Sequence, residues 1–254
     1  MEDDIEDRKV ITEWLSMIRG KNVTITVPQK GDKLKIIKLA HQNAIITLEQ
    51  FGEKIKREQE KTVGALLEIQ KALNIDKSIN RIEAYDISNF QGFESVASMI
   101  VFEGGKPKRT DYRKFKIKGV LGANDYASME EVITRRFLRY KKEQEEIKLN
   151  KDYKLKFSNL PDIVFIDGGK GQVNSAKKAM EKLDSDLYIC GMVKDERHRT
   201  RCLMFNDKEI YLKESTEGFK LVTRIQDEVH RFAIEYHRKL REKIMIKSVL
   251  DDIE

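Results

Sequence analysis

The sequence has 254 residues, 40% of them hydrophobic and 36% charged, which is typical of a charge-rich globular protein with room for one large or two small domains. No apolar run approaches the ~20 residues of a membrane span, and the acidic N-terminus lacks a signal-peptide layout, so we expect a cytoplasmic protein without a membrane partner. The net charge of +6 is compatible with a polyanionic partner, and the two cysteines, Cys190 and Cys202, lack metal-ligand spacing.

The first 76 residues are predicted to form a smaller α/β segment in front of the main domain. The stretch VITEWLSMIRG has the apolar spacing of a short amphipathic helix that ends at Gly20. In NVTITVP, apolar and polar residues alternate until the proline, which predicts a strand. A long helical pattern follows from Leu34 to Ile75. We therefore expect residues 1–76 to combine two helices, one of them long, with one strand.

Beyond Arg81 the sequence changes to strand patterns. The stretches RIEAYDISNF and ESVASMIVFEGGKPKRTDYRKFKIKG predict three strands, with a tight turn at Gly104 and Gly105 between the second and the third. The stretch DYASMEEVITRRFLRYKKEQEE predicts a helix, because its apolar residues recur at helical spacing. The unbroken apolar run in LPDIVFIDGGKGQ predicts a strand that is buried on both faces.

The rest of the sequence alternates helices and strands. A helix is predicted in QVNSAKKAMEKL, a strand in LYICGMVKD, a hairpin in RCLMFNDKEIYL with its turn at Asn206 and Asp207, and a last helix from about Gly218 to Lys247. This order predicts an α/β fold of the ribonuclease H-like type, with a mixed sheet flanked by helices. We expect that domain to span residues 77–247, although many α/β folds share parts of the order.

Two carboxylates are predicted to lie at neighbouring positions in the sheet. Asp167 directly follows the buried run Ile163–Ile166, and Asp86 shares by period two the face that Ile82 and Ala84 help to bury. Like charges this close raise each other's pKa unless a cation lies between them, and Mg²⁺ or Mn²⁺ would be suitable because both take oxygen ligands. Each aspartate alone is equally compatible with a turn, so it is the pairing that favours a metal site.

A histidine in the last helix is the third candidate. His230 lies one position beyond the predicted packing face, at its edge, so its imidazole can face the sheet while the helix packs beside it. Such a histidine either ligates a metal or takes a proton from water, and the sequence leaves both roles open. The competing interpretation is a half-buried histidine that is hydrogen-bonded to a neighbour. The packing face consists of Phe219, Val222, Ile225, Val229, Phe232 and Tyr236.

Basic residues near these positions are candidates for contacts with a DNA backbone. Arg113 lies in the third predicted strand, Lys170 in GGKGQ, Lys194 at the end of LYICGMVKD and Arg231 on the outer side of the last helix. Contacts of this kind give salt-sensitive binding without sequence preference. The glycines of GGKGQ would let a DNA backbone approach Asp167 closely. Their spacing fits neither the Walker nor the dinucleotide pattern, so a nucleotide-binding enzyme is a weak alternative.

Four stretches together resemble the C-terminal half of the UvrC family, the nuclease subunit of the bacterial UvrABC excinuclease. They are RIEAYDISNFQGFESVASMIVFEGGKPKRTDYRKFKIK, NDYASMEEVITRRF, LPDIVFIDGGKGQVNSA and RIQDEVHRFAIEYHRK. The resemblance implies a metal-dependent endonuclease that makes the incision 5′ to a DNA lesion in nucleotide excision repair. It also implies that the catalytic and metal-binding set of the family falls on Asp86, Asp167 and His230. A further acidic position of the family falls on Asp125, which we interpret as a supporting residue.

The resemblance further implies DNA as substrate, with UvrB and the UvrA-dependent damage complex as partners. The family's GIY-YIG nuclease domain and its UvrB-contacting segment are absent from this sequence, and we expect the fragment to be a monomer. Residues 248–254 resemble a truncated lead-in to the family's helix-hairpin-helix DNA-binding domain. The competing hypothesis is a non-catalytic DNA-binding or partner-docking module, in which the aspartate pair would be structural.

Overall fold

The computed structural model describes residues 6–88, 95–120, 124–149 and 156–251, with side chains of the last helix described as far as residue 235 and at residue 238. The chain divides into two compact units, Met1–Glu58 and Gln59–Glu254. The predicted division at residue 76 stays a prediction, and residues 252–254 of the predicted lead-in lie outside the described part. None of the helices in these ranges combines the length and the apolar character that crossing a bilayer requires.

The first unit is helical in the part that the structure describes. Helix α1, Arg8–Arg19, ends at Gly20, whose φ of 65° is the left-handed conformation that commonly closes a helix. Helix α2, Asp32–Gln59, forms the first part of the predicted long helix. Neither helix contains a buried residue among those described, so packing within this unit contributes little to its stability.

The strand predicted in NVTITVP is wrong. Residues 22–29 form no strand, and two of their backbone groups bind side chains of α1 instead. The Val23 N–H donates to Ser16 Oγ at 2.9 Å, and the Ile25 carbonyl accepts from Arg8 Nη2 at 2.6 Å. Alternation indicates an extended backbone, but a strand also needs a neighbouring strand to complete its hydrogen bonds, and the described residues of this unit supply none.

The second unit is built on one mixed sheet of eight strands within the described ranges. The strands are β1 (Arg81–Ser88), β2 (Val96–Glu103), β3 (Lys106–Pro107), β4 (Arg113–Lys116), β5 (Ile163–Ile166), β6 (Tyr188–Lys194), β7 (Thr200–Phe205) and β8 (Lys208–Ile210). Their order is β3-β2-β1-β5-β6-β7-β8, and β4 also pairs with β2. The neighbours β1 and β5 are parallel, as are β5 and β6, whereas the other pairs are antiparallel.

Helices cover both faces of this sheet. They are α3 (Ala65–Ala72), α4 (Asp125–Leu149), α5 (Lys170–Lys182) and α6 (Glu217–Asp251). Residues of α3 and α6 share one hydrophobic core with Ile82 and Ala84 of β1. Residues of α4 and α5 share a second core with Tyr85 and Ile87 on the opposite face of the same strand. The predicted mixed sheet flanked by helices is therefore confirmed.

Two predicted elements are divided in the structure. The long helical pattern is interrupted by a π-helical turn, Glu60–Gly64, and the third strand is split into β3 and β4 by a 3₁₀ turn, Arg109–Asp111. The second interruption has a visible cause in the side chain of Arg81. Its Nη1 donates to Asp111 Oδ2 at 2.8 Å and to Glu103 Oε2 at 2.9 Å, which ties the turn to the neighbouring strands.

A buried ion pair joins the middle of β1 to α4. Glu83 is fully buried, and Arg136 donates from Nη2 to Glu83 Oε1 at 2.6 Å and from Nε to Oε2 at 3.2 Å. The Tyr85 hydroxyl donates to the same Oε2 at 2.6 Å, and burial raises the pKa of this hydroxyl. Together these donors satisfy a carboxylate that would otherwise be very unfavourable in the core.

The same arginine holds the segment that leads into β5. Arg136 donates to the carbonyl oxygens of Phe157 at 3.1 Å and Asn159 at 2.7 Å. The buried carboxylate of Glu143, farther along α4, accepts the N–H groups of Lys156 at 3.0 Å and Phe157 at 2.7 Å. Because Asp86 lies near the end of β1 and Asp167 directly follows β5, this network fixes the two strands that position the candidate carboxylates.

We expect Arg136→Met to lower the free energy of unfolding by about 3–5 kcal/mol, because the buried Glu83 carboxylate loses two hydrogen bonds and its nearest cation and keeps, among the described cations, only Arg81 Nη2 at 4.0 Å. Urea denaturation measures this change. The double variant Glu83→Leu/Arg136→Met should recover most of the loss, since no buried charge then remains unpaired.

Arg135→Met is the matched control for that experiment. Arg135 is the preceding residue of α4 and forms a partly exposed pair with Glu131 at 2.8 Å, so its loss should cost at most about 1 kcal/mol. If the Arg135 and Arg136 variants lost equal free energy of unfolding, the stabilising role that we assign to the buried Glu83–Arg136 pair would be contradicted.

Candidate active site

Asp86 lies near the end of β1 on the face that packs against α6. Its neighbours Ile82 and Ala84 belong to the core on that face, as the period of two predicted. Only 8% of the residue is exposed. The sheet therefore holds this carboxylate at the border between core and surface, where desolvation is incomplete.

Asp167 is the first residue after β5. The last register pair between the parallel strands is Tyr85 with Ile166, so Asp86 and Asp167 are the next residues on the two strands. The Asp167 N–H donates to the Tyr85 carbonyl at 2.8 Å, which continues the parallel pairing by one hydrogen bond. Because residues that continue a parallel register point to the same face, the two carboxylates meet on the α6 side.

His230 completes the group from α6. Its Nδ1 lies 3.4 Å from Asp86 Oδ2, and its side chain is 55% exposed, in agreement with a position at the edge of the packing face. One ligand atom each from Asp86, Asp167 and His230 lies within 4.8 Å of the other two. The structure thus brings together the three residues that the sequence singled out, and their catalytic role stays a prediction.

The charges within this group are only partly balanced. Burial raises the pKa of Asp86, and the nearby charge of Asp167 adds to that rise, while the hydrogen bond to His230 opposes it. The same hydrogen bond raises the pKa of His230. A pKa that stays raised means that the protein does not fully compensate the negative charge on Asp86. Two carboxylates and an imidazole at these distances therefore fit a divalent cation such as Mg²⁺ or Mn²⁺.

Lys194 and Gln226 hold Asp167 from the opposite side. Lys194, the last residue of β6, donates from Nζ to Asp167 Oδ2 at 2.8 Å. Gln226 of α6 donates from Nε2 to Asp167 Oδ1 at 2.8 Å and to the Met192 carbonyl at 2.9 Å. Its Oε1 accepts the Thr200 hydroxyl at 2.6 Å. The carboxylate is therefore oriented by two donors before any metal or substrate binds.

Sequence reasoning did not assign a role to Gln226. The residue is 1% exposed and lies between Ile225 and Val229 of the packing face, one turn before His230. A polar residue inside an apolar helical stripe is the signal that identifies it, because a buried amide needs hydrogen-bond partners. Its partners come from β6, β7 and the loop after β5, which the sequence alone does not bring together.

The other predicted site residues are spread more widely. Asp125 begins α4 and lines the cleft beside Asp167, and Lys170 begins α5 in the same cleft, where it pairs with Asp207 at 3.3 Å. Arg113 donates to two carbonyl oxygens of its own turn, those of residues 110 and 112, at 2.8 Å each. Arg231 pairs with two glutamates of α6. The structure therefore brings Lys194, Lys170 and Asp125 to Asp167, and it engages Arg113 and Arg231 elsewhere.

The order of the sheet, the helices on both faces and the two carboxylates near the ends of adjacent parallel strands define a ribonuclease H-like α/β domain. Comparison with known protein families leads to the same class of domain. Residues 70–234 match the family described as UvrC RNAse H endonuclease domain, and residues 1–51 match the family described as UvrC Ribonuclease H-like domain. The chain belongs to the UvrC RNase H endonuclease domain family.

Curated relatives are similar along the whole chain. The UvrABC system protein C of Alkaliphilus oremlandii is 49% identical over 256 residues, which cover 100% of this chain and 41% of that protein. The UvrABC system protein C of Lachnospira eligens is 51% identical over 251 residues, which cover 99% of this chain and 40% of that protein. The chain thus spans about two fifths of the length of the relatives that it matches.

Solved structures resemble the chain more distantly. Human ENDOV has a TM-score of 0.40 and 10% identity, and the match covers 73% of this chain and 98% of that one. Ciona intestinalis endonuclease V, solved with a DNA that contains inosine, has a TM-score of 0.37 and 12% identity, with 77% and 99% covered. Likenesses of this degree support no conclusion about activity.

We expect Lys194→Gln to tighten the binding of Mn²⁺ by about tenfold, because a divalent ion then no longer competes with an ammonium group for Asp167. Isothermal titration calorimetry measures the dissociation constant. Lys170→Gln removes the same charge from the same cleft, but its ammonium faces Asp207, so we expect a change of no more than about twofold. An unchanged Mn²⁺ affinity in the Lys194 variant would contradict competition between Mn²⁺ and the Lys194 ammonium for Asp167.

Proposed function

We propose that this chain is a metal-dependent DNA endonuclease domain that makes the incision 5′ to the lesion in nucleotide excision repair. The observation that carries the proposal is the group of Asp86, Asp167 and His230, whose ligand atoms lie within 4.8 Å on a sheet of the UvrC RNase H endonuclease family. The name of the relatives, UvrABC system protein C, supports UvrB and the UvrA-dependent damage complex as partners. A cytoplasmic location would follow from this role.

Asp86, Asp167 and His230 would hold Mg²⁺ or Mn²⁺ against the scissile phosphate. A divalent ion in this position supplies positive charge to the phosphoryl oxygens and makes water a stronger nucleophile at neutral pH. The two buried carboxylates provide the hard oxygen ligands that such ions prefer. Gln226 keeps Asp167 in a fixed orientation, so that little reorganisation is required when the substrate binds.

His230 can account for the proton of the attacking water, while the departing 3′ oxygen would take up a proton from solvent. In hydrolysis, the oxygen of water attacks phosphorus in line with the bond to the 3′ oxygen, which breaks and leaves a 3′-hydroxyl and a 5′-phosphate. His230 either completes the ligand set or accepts the proton of the attacking water. Its Nε2 makes no hydrogen bond to the described residues, and its half-exposed ring leaves that atom accessible for either role. Lys194 would offer its ammonium to a phosphate oxygen when an ion takes its place on Asp167.

A second candidate function is a non-catalytic DNA-binding or partner-docking module. The observation in its favour is the contact of 2.8 Å between Lys194 Nζ and Asp167 Oδ2, because an ion pair of this kind can be purely structural. In that case the protein's own cation balances the carboxylate, and no divalent ion is needed. The two functions therefore differ in a measurable way, which is the binding of a metal.

Calorimetric titration with Mn²⁺ is the first test. We expect the chain to bind Mn²⁺ and both Asp86→Asn and Asp167→Asn to abolish the binding, because each removes one negatively charged oxygen ligand. Asp227→Asn is the matched control, since Asp227 is an exposed carboxylate on the same helix as His230 and lies outside the group. Absence of binding by the unchanged chain at millimolar Mn²⁺ would favour the docking module.

Nicking of supercoiled plasmid tests the activity itself. We expect nicks that depend on Mn²⁺ or Mg²⁺, with rates reduced by more than about 100-fold in Asp86→Asn and Asp167→Asn, beyond the effect of losing an outer partner of a metal site. The Asp227→Asn variant should nick at the unchanged rate. Metal-dependent nicking that survives both aspartate substitutions would place the active site elsewhere.

A further inference from the structure

A cleft of about 770 Å³ opens directly beside Asp167. One wall is the start of α4, with Asn124, Asp125 and Tyr126, and the other is the chain from Gly168 to Gln172 at the start of α5. This volume lies in the range of about 300–1,000 Å³ that is typical of small-molecule sites, so it is large enough for one nucleotide. Because Asp167 is part of the wall, an occupant would lie next to the proposed scissile phosphate.

Three of the residues that line the cleft are glycines: Gly168, Gly169 and Gly171. A Cβ atom added at Gly171 would lie 2.4 Å from Tyr126 Cε1, so the Tyr126 ring requires a glycine there. One added at Gly168 would meet only the movable end of the Gln172 side chain, at 1.5 Å from Oε1. A Cβ atom added at Gly169 would meet nothing within 4 Å. The protein itself therefore leaves open space at Gly169, which a ligand can approach closely.

Tyr126 provides an aromatic surface in this cleft. Its ring packs against the backbone of Gly171, which limits its motion, yet 57% of the residue is exposed. Its hydroxyl makes no hydrogen bond to the described residues, so the ring is not held for the sake of a polar contact. A fixed and exposed ring beside a phosphodiester site is suited to stacking on a nucleobase.

The carboxylates that line the cleft disfavour a phosphate that arrives without a cation. Asp125 and Asp167 both line it, and the one lysine in the lining, Lys170, lies 3.3 Å from the carboxylate of Asp207. A phosphate placed among these carboxylates would be repelled unless a cation accompanied it. An uncharged base has no such penalty, and its polar edge can bind amide and backbone groups such as those of Asn124 and Gln172.

We infer that this cleft is a base subsite, in which Tyr126 stacks on the nucleobase adjacent to the scissile phosphate. The inference rests on the proposed endonuclease function and names its substrate more closely, as a DNA strand whose base at the incision is unpaired and free to leave the stack. Tyr126 is then a positioning residue, because it orients the nucleotide and does not touch the reacting atoms.

Binding of a fluorescein-labelled single-stranded oligonucleotide, followed by anisotropy with Ca²⁺ in place of Mn²⁺, gives the first test. We expect Tyr126→Leu to weaken binding by about 5- to 150-fold, as loss of one stacked base does, and Tyr126→Phe to leave it within about twofold. Tyr211→Leu is the matched control, since Tyr211 is a similarly exposed tyrosine outside the cleft lining. Equal affinities for the leucine and phenylalanine variants of Tyr126 would overturn the inference.

A spectroscopic readout separates stacking from a merely structural role. Trp14 is the only tryptophan of the chain, so the double variant Trp14→Phe/Tyr126→Trp has its one tryptophan in the cleft, where it can be excited selectively. We expect its fluorescence to be quenched by the oligonucleotide but not by an abasic strand of the same length and charge. Bound oligonucleotide without quenching, or equal quenching by the abasic strand, would overturn the base subsite.

Gly169→Ala adds a variant whose fold should be unaffected, because the new methyl group meets no protein atom within 4 Å. We expect it to weaken oligonucleotide binding while leaving Mn²⁺ affinity unchanged. Unchanged binding of both the oligonucleotide and Mn²⁺ would count against an occupant beside Gly169.

Failure of the inference can be distinguished from failure of the proposed function. Stacking without metal-dependent nicking would contradict the function alone, whereas nicking that is insensitive to Tyr126→Leu would contradict the subsite alone.

Discussion

The ion pair between Glu83 and Arg136 connects the parts of the fold that must stay in register for a site to exist. It lies under the sheet, on the face opposite the candidate site, and its arginine also holds the carbonyl oxygens of Phe157 and Asn159 before β5. A buried charge pair is stable only when its donors and acceptors are satisfied, and here the donors of Arg136 bind both Glu83 of β1 and the segment before β5. Its geometry therefore constrains β1, α4 and the entry to β5 together.

This constraint explains how two carboxylates can be held close to one another. Asp86 and Asp167 continue the parallel register of β1 and β5, so their proximity is a consequence of strand pairing, and backbone hydrogen bonds sustain it against their mutual repulsion. Burial keeps the pKa of Asp86 raised and the charge of Asp167 adds to the rise, while His230 and Lys194 oppose it. A site with residual negative charge is suited to a cation, and Lys194 would compete with that cation for Asp167.

Much of the second unit could be predicted from local patterns. The apolar run before Asp167, the period of two around Asp86 and the helical stripe beside His230 each predicted the correct element and face, because burial selects those spacings directly. The predicted strand in NVTITVP failed for the opposite reason, since pairing depends on a neighbour that the local sequence does not contain. Gln226 escaped notice because its partners are distant in sequence and become adjacent only on folding.

In the second unit, the sequence by itself determined which strands and helices form and which apolar residues they bury, and with them the mixed α/β class and the three residues of the candidate centre. Those properties depend on each side chain and its nearest neighbours along the chain. Only the tertiary structure decided that Lys194 binds Asp167, that Arg113 binds the backbone of its own turn, and that Tyr126 faces a cleft beside the carboxylates. Such relations depend on the packing of distant elements, because a charge or a ring acquires its role from what the fold places next to it.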